Sequence, residues 1–452
     1  MFPFAALTSP RTLQVVSGLA VLLMASHPLL AQAPAGTQSA AQSYAAQVSA
    51  GLDPRKPAPA KSGALTIQQV VDVAKTKNPT LLAADRNLSA VRAQEIQAAV
   101  RANPYFGVNG TNITLPIDGS EGNPPEYAFQ GSRLFERGQK RRWRIDFAKA
   151  TTQQTQAQLQ DTIRTTLLSV KTAFMQMLIA KQALEISTAT LKDFQHEVDI
   201  ANDRYKAGDL GKLDYLRLDL QLGSFESDES NQIVNLRQAS DQLQTLMGID
   251  TPRDDFDITG DIVPPVVTQT QADLLQQALA NRPDYAAARL GVTVAQANVK
   301  VANSNGTTDP TLEAEFDKSG YYNSVGFNIN IPIRIFDKNQ GNKETARFQA
   351  DASRFAETAA RNQVASDVDQ AWINYVQSKR LSDRFTQHYL DESREVLSIA
   401  QFAFEHGGIA LIDYLDAVRD IRSSTTDALN AYLQTWLAIH QFSAATATEL
   451  IP

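Results

Sequence analysis

Hydrophobic residues follow two different rhythms along this chain. Ile163, Leu167, Val170, Phe174, Met177, Leu184, Leu191, Val198 and Tyr205 keep a heptad register, the pattern of a coiled-coil seam. A second, looser series places Val368, Tyr375, Tyr389 and Val396 at multiples of seven. Both series lie in stretches without glycine or proline, residues 141–206 and 342–406. At 1.5 Å per residue each stretch predicts a helix on the order of 100 Å long, packed sideways against other helices. None of the 19 prolines falls within 126–251 or 333–451, which marks two long helical territories.

The other rhythm is strict alternation. Val325, Phe327, Ile329 and Ile331 alternate with Ser324, Gly326, Asn328 and Asn330, and Leu312, Ala314 and Phe316 alternate with Glu313, Glu315 and Asp317. Two strands are predicted here, at about 311–317 and 323–333, each with an apolar face and a polar or acidic one. A looser pair, at about 105–113 and 126–135, carries Phe106 and Val108, then Tyr127 and Phe129. An ordinary hairpin half-buried on a soluble core has the same pattern. In this chain nothing else is available to cover the apolar faces.

Four strands of about eight residues cannot close a barrel, and an open sheet edge is not tolerated in lipid. Three chains would meet the shortage with one shared barrel of twelve strands, continued by a closed tube of twelve helices. The expected fold class is therefore mainly α with a transmembrane β-barrel, and the expected assembly is a homotrimer set in lipid.

Internal repetition agrees with this layout. TIQQVVDVAKTKNP from Thr66 returns as TQADLLQQALANRP from Thr270, and Leu134-Phe135-Glu136 returns as Ile335-Phe336-Asp337. Tyr205, Gly208, Leu210, Leu213 and Asp214-Tyr215-Leu216 return as Phe404, Gly407, Ile409, Ile412 and Asp413-Tyr414-Leu415. Three matches in one order predict a duplicated unit of about 200 residues, here 65–266 and 267–448.

The N-terminal 31 residues hold Arg11 as their only charge and an apolar stretch over 13–30, which reads as a secretory signal peptide. Cleavage falls between Ala31 and Ala33. Ser17, Gly18, Ser26, His27 and Pro28 interrupt the stretch and argue against a retained anchor. Residues 32–64, rich in Ala, Gln, Ser, Pro and Gly, read as a flexible leader or as an extended strap over a neighbour, with no assigned function. No later segment approaches about 20 continuous apolar residues, so any membrane crossing falls to strands.

Composition narrows the chemistry. With no cysteine, an exported chain must be held by packing and assembly, and a net charge of −7 argues against nucleic-acid partners. There is no P-loop, no dinucleotide fingerprint, no GxSxG and no Cys/His pair, so no enzyme, cofactor or catalytic residue is expected. His196, His388, His406 and His440 lack ligand spacing, and no metal site is expected. Glu313 and Glu315 read as the polar lining of a lumen rather than a catalytic pair.

From about Leu65 to Ala445 the chain resembles the TolC-type outer-membrane efflux proteins. RYKAGDLGKLDYL from Arg204 and FEHGGIALIDYLDA from Phe404 are similar to the two hairpins at that family's periplasmic tip. The resemblance implies a trimeric exit duct docked on a periplasmic membrane-fusion adaptor and, through it, an inner-membrane pump of the resistance-nodulation-division type. It implies that Gly208 and Gly407 make the tip turns. Leu210, Leu213, Ile409 and Ile412 would meet the adaptor or pack the tip's own core.

Asp413 and Asp416 match the aspartates that narrow the family's pore, where three-fold symmetry would make rings of carboxylates that concentrate cations. Asp413 is equally suited to cap its helix. Phe404 and Ile409 depart from the tyrosine and arginine of the best-known member, so its latch is not carried over and closure is expected to rest on packing. Val325, Phe327, Ile329 and Ile331 would face lipid.

The joints LFERGQKR from Leu134 and IPIRIFDKNQG from Ile331 resemble those of CzcC-like heavy-metal efflux members, with Gly138 and Gly341 turning the chain from barrel to tube. The implied cargo is metal cations. Multidrug export or type I secretion on the same fold remain open, as does a periplasmic coiled-coil adaptor or scaffold without a barrel.

Overall fold

The computed structural model describes residues 53–113 and 124–450. The signal-peptide reading of 1–31 and the start of the leader lie outside them. Two sets of elements follow one another in the same order. The first is α1 (Ile67–Lys77), α2 (Pro79–Ala99), β1 (Tyr105–Thr111), β2 (Glu126–Leu134), α3 (Lys140–Ala207) and α4 (Lys212–Leu246). The second is α5 (Gln271–Asn281), α6 (Pro283–Asn305), β3 (Thr311–Ser319), β4 (Tyr322–Asn330), α7 (Gln340–Arg384), α8 (Leu390–Glu405) and α9 (Leu411–Thr446).

Local chemistry sets the helix starts. Thr66 and Gln69 form a capping box at α1, and Asn78 accepts from the N–H groups of Thr80 and Leu81 at α2, where Pro79 presets the first turn. Val70, Ala74, Phe174, Met177, Leu243, Ile258 and Trp436 belong to one core. Leu274, Ala278, Val364, Val368, Tyr375 and Phe442 belong to a second.

Helix α3 is one unbroken helix of 68 residues, about 100 Å by its rise. Its seam runs through buried Val170, Phe174, Met177 and Val198. Its counterpart is not continuous. A π-helical turn, Phe385–Tyr389, divides α7 from α8. This corrects the heptad expected from sequence: Val368, Tyr375 and Ser382 are buried at intervals of seven, but Tyr389 and Val396 are 37% and 51% exposed. Leu390 and Leu397 are buried in their place, because a π turn inserts one residue and moves the seam on by one position.

The last part of the leader is not loose but tied to the rest of the chain. Lys61 N–H donates to Asp257 at 2.7 Å, and Leu65 forms a parallel bridge with Ile258. Upstream, Asp53 lies 2.8 Å from Arg394, and Arg55 donates to the Thr386 carbonyl at 3.2 Å and to Asp391 at 2.8 Å. A π turn disturbs the helical hydrogen-bond ladder, and Arg55 supplies a donor there. Burial would raise the Asp53 pKa, but its bonds to Arg55 and Arg394 outweigh that and hold it below the usual carboxylate range.

The four strands form one antiparallel sheet in the order β1-β2-β3-β4. The joint to α3 takes positive φ at Gly138 and Gln139, and a Cβ on Gly138 would stand 2.6 Å from Thr307 Oγ1. The second joint corrects the sequence reading. Gly341 lies inside α7, and Asn339 (φ 62°) makes the turn, its amide donating to Ala302 O at 2.7 Å.

Candidate functional site

Two places carry the functional expectations, the helix turns at 208–211 and 406–410 and the faces of the sheet. At the first turn Gly208 has φ +85°, with Asp209 N–H donating to Arg204 O at 2.9 Å. At the second Gly407 has φ +73°, with Gly408 N–H donating to Ala403 O at 2.7 Å. Both close a helix with a left-handed residue, and a Cβ at either glycine would meet nothing, so the backbone angle alone requires glycine.

The four apolar turn residues divide. Leu210 and Ile409 are half-buried and pack on the first core, whereas Leu213 and Ile412 are 63% and 48% exposed. Each turn is braced by the same stacked aromatic pair: Tyr205 on Tyr215, with centroids 5.3 Å apart, and Phe404 on Tyr414, 5.2 Å apart.

Asp413 is exposed and accepts from Ala410 N–H at 3.2 Å, the reciprocal half of a capping box on α9. Asp416 is exposed and pairs with Arg419 at 2.8 Å, one turn along. A ring built from Asp416 would thus carry a cation beside each carboxylate.

Sequence reasoning missed Glu197 of α3. Tyr414 donates its hydroxyl to this half-buried carboxylate, joining α3 to α9 across the duplication. Burial pushes Glu197 up to about 7, opposed by the Tyr414 bond and aided by the charges of Glu405 and Asp193. A glutamate on a heptad-bearing helix gave no signal, since its partner lies 217 residues away.

The sheet register sorts residues by face. Val108, Phe129, Phe316 and Val325 lie in one row across the strands; Phe106, Gly131, Ala314 and Phe327 form the next; Leu312 and Ile329 pair beyond them. The opposite face carries Gln130, Glu315 and Gly326, then Ser132, Glu313 and Asn328. Val325, Phe327 and Ile329 are 65%, 79% and 62% exposed. Ile331, expected on the same strand, falls one residue beyond β4. Among the described residues no helix is long and apolar enough to cross a membrane, and no group of three or more His, Cys, Asp or Glu is placed to hold a metal.

A duplicated pair of long helical hairpins joined to a short sheet, apolar on one face and acidic on the other, agrees with the sequence model described as outer membrane efflux protein. That model matches residues 70–249 and 274–447. The chain belongs to this family.

Among relatives of this efflux protein, the cobalt-zinc-cadmium resistance protein CzcC of Cupriavidus metallidurans is 26% identical, over 95% of this chain and 97% of its own. The cation efflux system protein CusC of Escherichia coli K12 is 23% identical over 75% and 78%. A membrane protein from Pseudomonas aeruginosa, known as a crystal structure, superposes with a TM-score of 0.73 at 18% identity, covering 86% of this chain and 97% of that one. Its likeness establishes a shared fold.

Proposed function

We propose that this efflux protein is the outer-membrane exit duct of a tripartite pump, passively conducting heavy-metal cations from periplasm to exterior. The observation that carries the reading is the open sheet with one apolar and one acidic face. Three copies joined edge to edge, β4 to β1, would satisfy every strand and close a twelve-stranded barrel around Glu313, Glu315 and Asp317. Lipid would meet Val325, Phe327 and Ile329 outside.

Below the barrel the helices of three chains make a periplasmic tube, and the turns at Gly208 and Gly407 form its tip. The exposed Leu213 and Ile412 are the contacts offered to a membrane-fusion adaptor, with Leu210 and Ile409 supporting them from within. An inner-membrane pump of the resistance-nodulation-division type acts through that adaptor. Asp413 and Asp416 stand at the pore constriction.

Cargo is read from the near full-length likeness to a protein named for cobalt, zinc and cadmium resistance. A lumen lined by carboxylates without a tight metal site suits cations in transit. A deletion strain tested against divalent metals, dyes, detergents and antibiotics decides it. Selective metal sensitivity is expected, whereas sensitivity to organic compounds with normal metal tolerance would replace the cargo by drugs.

A further inference from the structure

The sheet segregates its charges by sign. Its strands hold six charged residues, and Glu126, Glu313, Glu315 and Asp317 all fall on the polar face. Arg133 and Lys318 both fall on the apolar face. Alternation alone would not place every acid on one side and both bases on the other.

The two cations stand at opposite ends of that face. Arg133 lies opposite Leu312, beside the joint to α3, and Lys318 lies opposite Tyr127, at the end far from the helices. Six steps along β3 separate Leu312 from Lys318, on the order of 20 Å. Between them the face offers Phe129, Gly131, Ala314 and Phe316, with no charge. Barrels present lipid with an apolar band about 25 Å tall, so the two cations mark its rims.

Their surroundings suit an interface with lipid headgroups. The Arg133 guanidinium lies over the Phe135 ring at 5.3 Å, and Tyr127 pairs with Lys318, giving each rim an aromatic beside its cation. Among the described residues no carboxylate is paired with either cation, since the sheet's acids face the other way. Both residues sit on the two inner strands, away from the β1 and β4 edges where another copy would join. Assembly would therefore leave them exposed on the outside of the barrel, where the described part of the chain offers them no counter-anion.

We propose that Arg133 and Lys318 bind the phosphate groups of anionic lipids at the two rims of the membrane wall. The proposal rests on reading the sheet as that wall. Arg133 takes the headgroups beside the helical joint and Lys318 those at the far rim, which fixes the barrel's height in the bilayer. Each cation near an anionic surface favours such lipids on the order of fivefold.

The test uses the full-length protein with vesicles of phosphatidylcholine alone or with one quarter phosphatidylglycerol, then gentle extraction and native mass spectrometry of retained lipid. The wild type is expected to retain phosphatidylglycerol over phosphatidylcholine several-fold. Arg133→Gln with Lys318→Gln should retain both in proportion to supply, while Arg133→Lys keeps the preference. Should the double variant fail to assemble, Lys318→Gln alone is expected to lose part of the preference. Proportional retention by the wild type, or an undiminished preference in the Gln variants, would overturn the proposal. Flotation reads the membrane wall separately: a wild type that floats with neither vesicle contradicts that reading, whereas one that floats without lipid preference contradicts only the phosphate sites.

Discussion

Asn78 and Arg282 occupy the same place in the two halves of the chain, each tying the start of one helix to the end of another. Asn78 donates to Leu246 O at 2.7 Å, near the end of α4, and Arg282 donates to Ala445 O at 3.4 Å, near the end of α9. After duplication the same junction is held by different chemistry. Asn78 caps α2 as well, whereas Arg282 spends its remaining donors on Asp284 (2.5 Å) and Asp367 (2.8 Å).

Asn78→Ala should therefore cost about 2 kcal/mol, from a lost cap and an orphaned carbonyl. Arg282→Met should cost about as much or more, because it strands two partly buried carboxylates. Thermal unfolding of the detergent-solubilised protein checks both. Wild-type midpoints would show that neither junction holds its own half together.

Arg55→Ala should loosen the π turn specifically. Bonds to a charged donor contribute roughly 1.5 to 3 kcal/mol, so amides near Thr386 and Leu390 are expected to exchange on the order of tenfold faster, with those at 204–216 unchanged. Uniform exchange across α7 and α8 would show that Arg55 only decorates the turn.

Glu197 gives the region near the second turn a pH dependence whose sign is fixed. Its folded pKa, about 7, lies above the unfolded value, so the folded form holds the proton more tightly. No penalty exists below about pH 4. It grows as the unfolded state ionises and reaches up to about 3 kcal/mol once pH passes through 7. Protection factors at 193–201 and 411–418, which divide out the base-catalysed rise of intrinsic exchange, should be lower at pH 8 than at pH 6, and Glu197→Gln should flatten the difference. A wild type with equal protection at both pH values would contradict the tie.

Phe327→Lys places a cation in the middle of the apolar face, beside Ala314. At the membrane midplane that costs about 2 to 4 kcal/mol, and the variant should reach the outer membrane poorly by fractionation. Normal assembly would reverse the proposed faces of β4.

Asp416 and Arg419 make opposite predictions for the pore. In single-channel recordings Asp416→Ala should lower cation preference and Arg419→Ala should raise it, because each removes one member of a pair. Unchanged selectivity in both would remove this pair from the constriction.

Much of the layout was legible because it rests on periodicity. Alternation around Phe327 and Phe316, the heptads of α3 and the repeated Asp-Tyr-Leu after each turn depend on residues close in sequence. The π turn was not legible, since one inserted residue shifts a seam without leaving a glycine or proline; only Leu390 and Leu397, one place past the heptad, carry its trace. The Arg55 contact and the Tyr414–Glu197 bond link residues 331 and 217 positions apart, and spacing says nothing about such pairs. Gly341 misled because a glycine near a joint looks like its turn, whereas Asn339 tolerates the left-handed backbone.

The most direct test of the central claim is the reversal potential of the purified protein in a planar bilayer under a salt gradient. The account predicts a cation-selective pore whose selectivity falls when Glu313, Glu315 and Asp317 are replaced together by Gln, Gln and Asn. A pore that prefers anions, or keeps its cation selectivity in the triple variant, would contradict a lumen lined by the acidic face of the sheet.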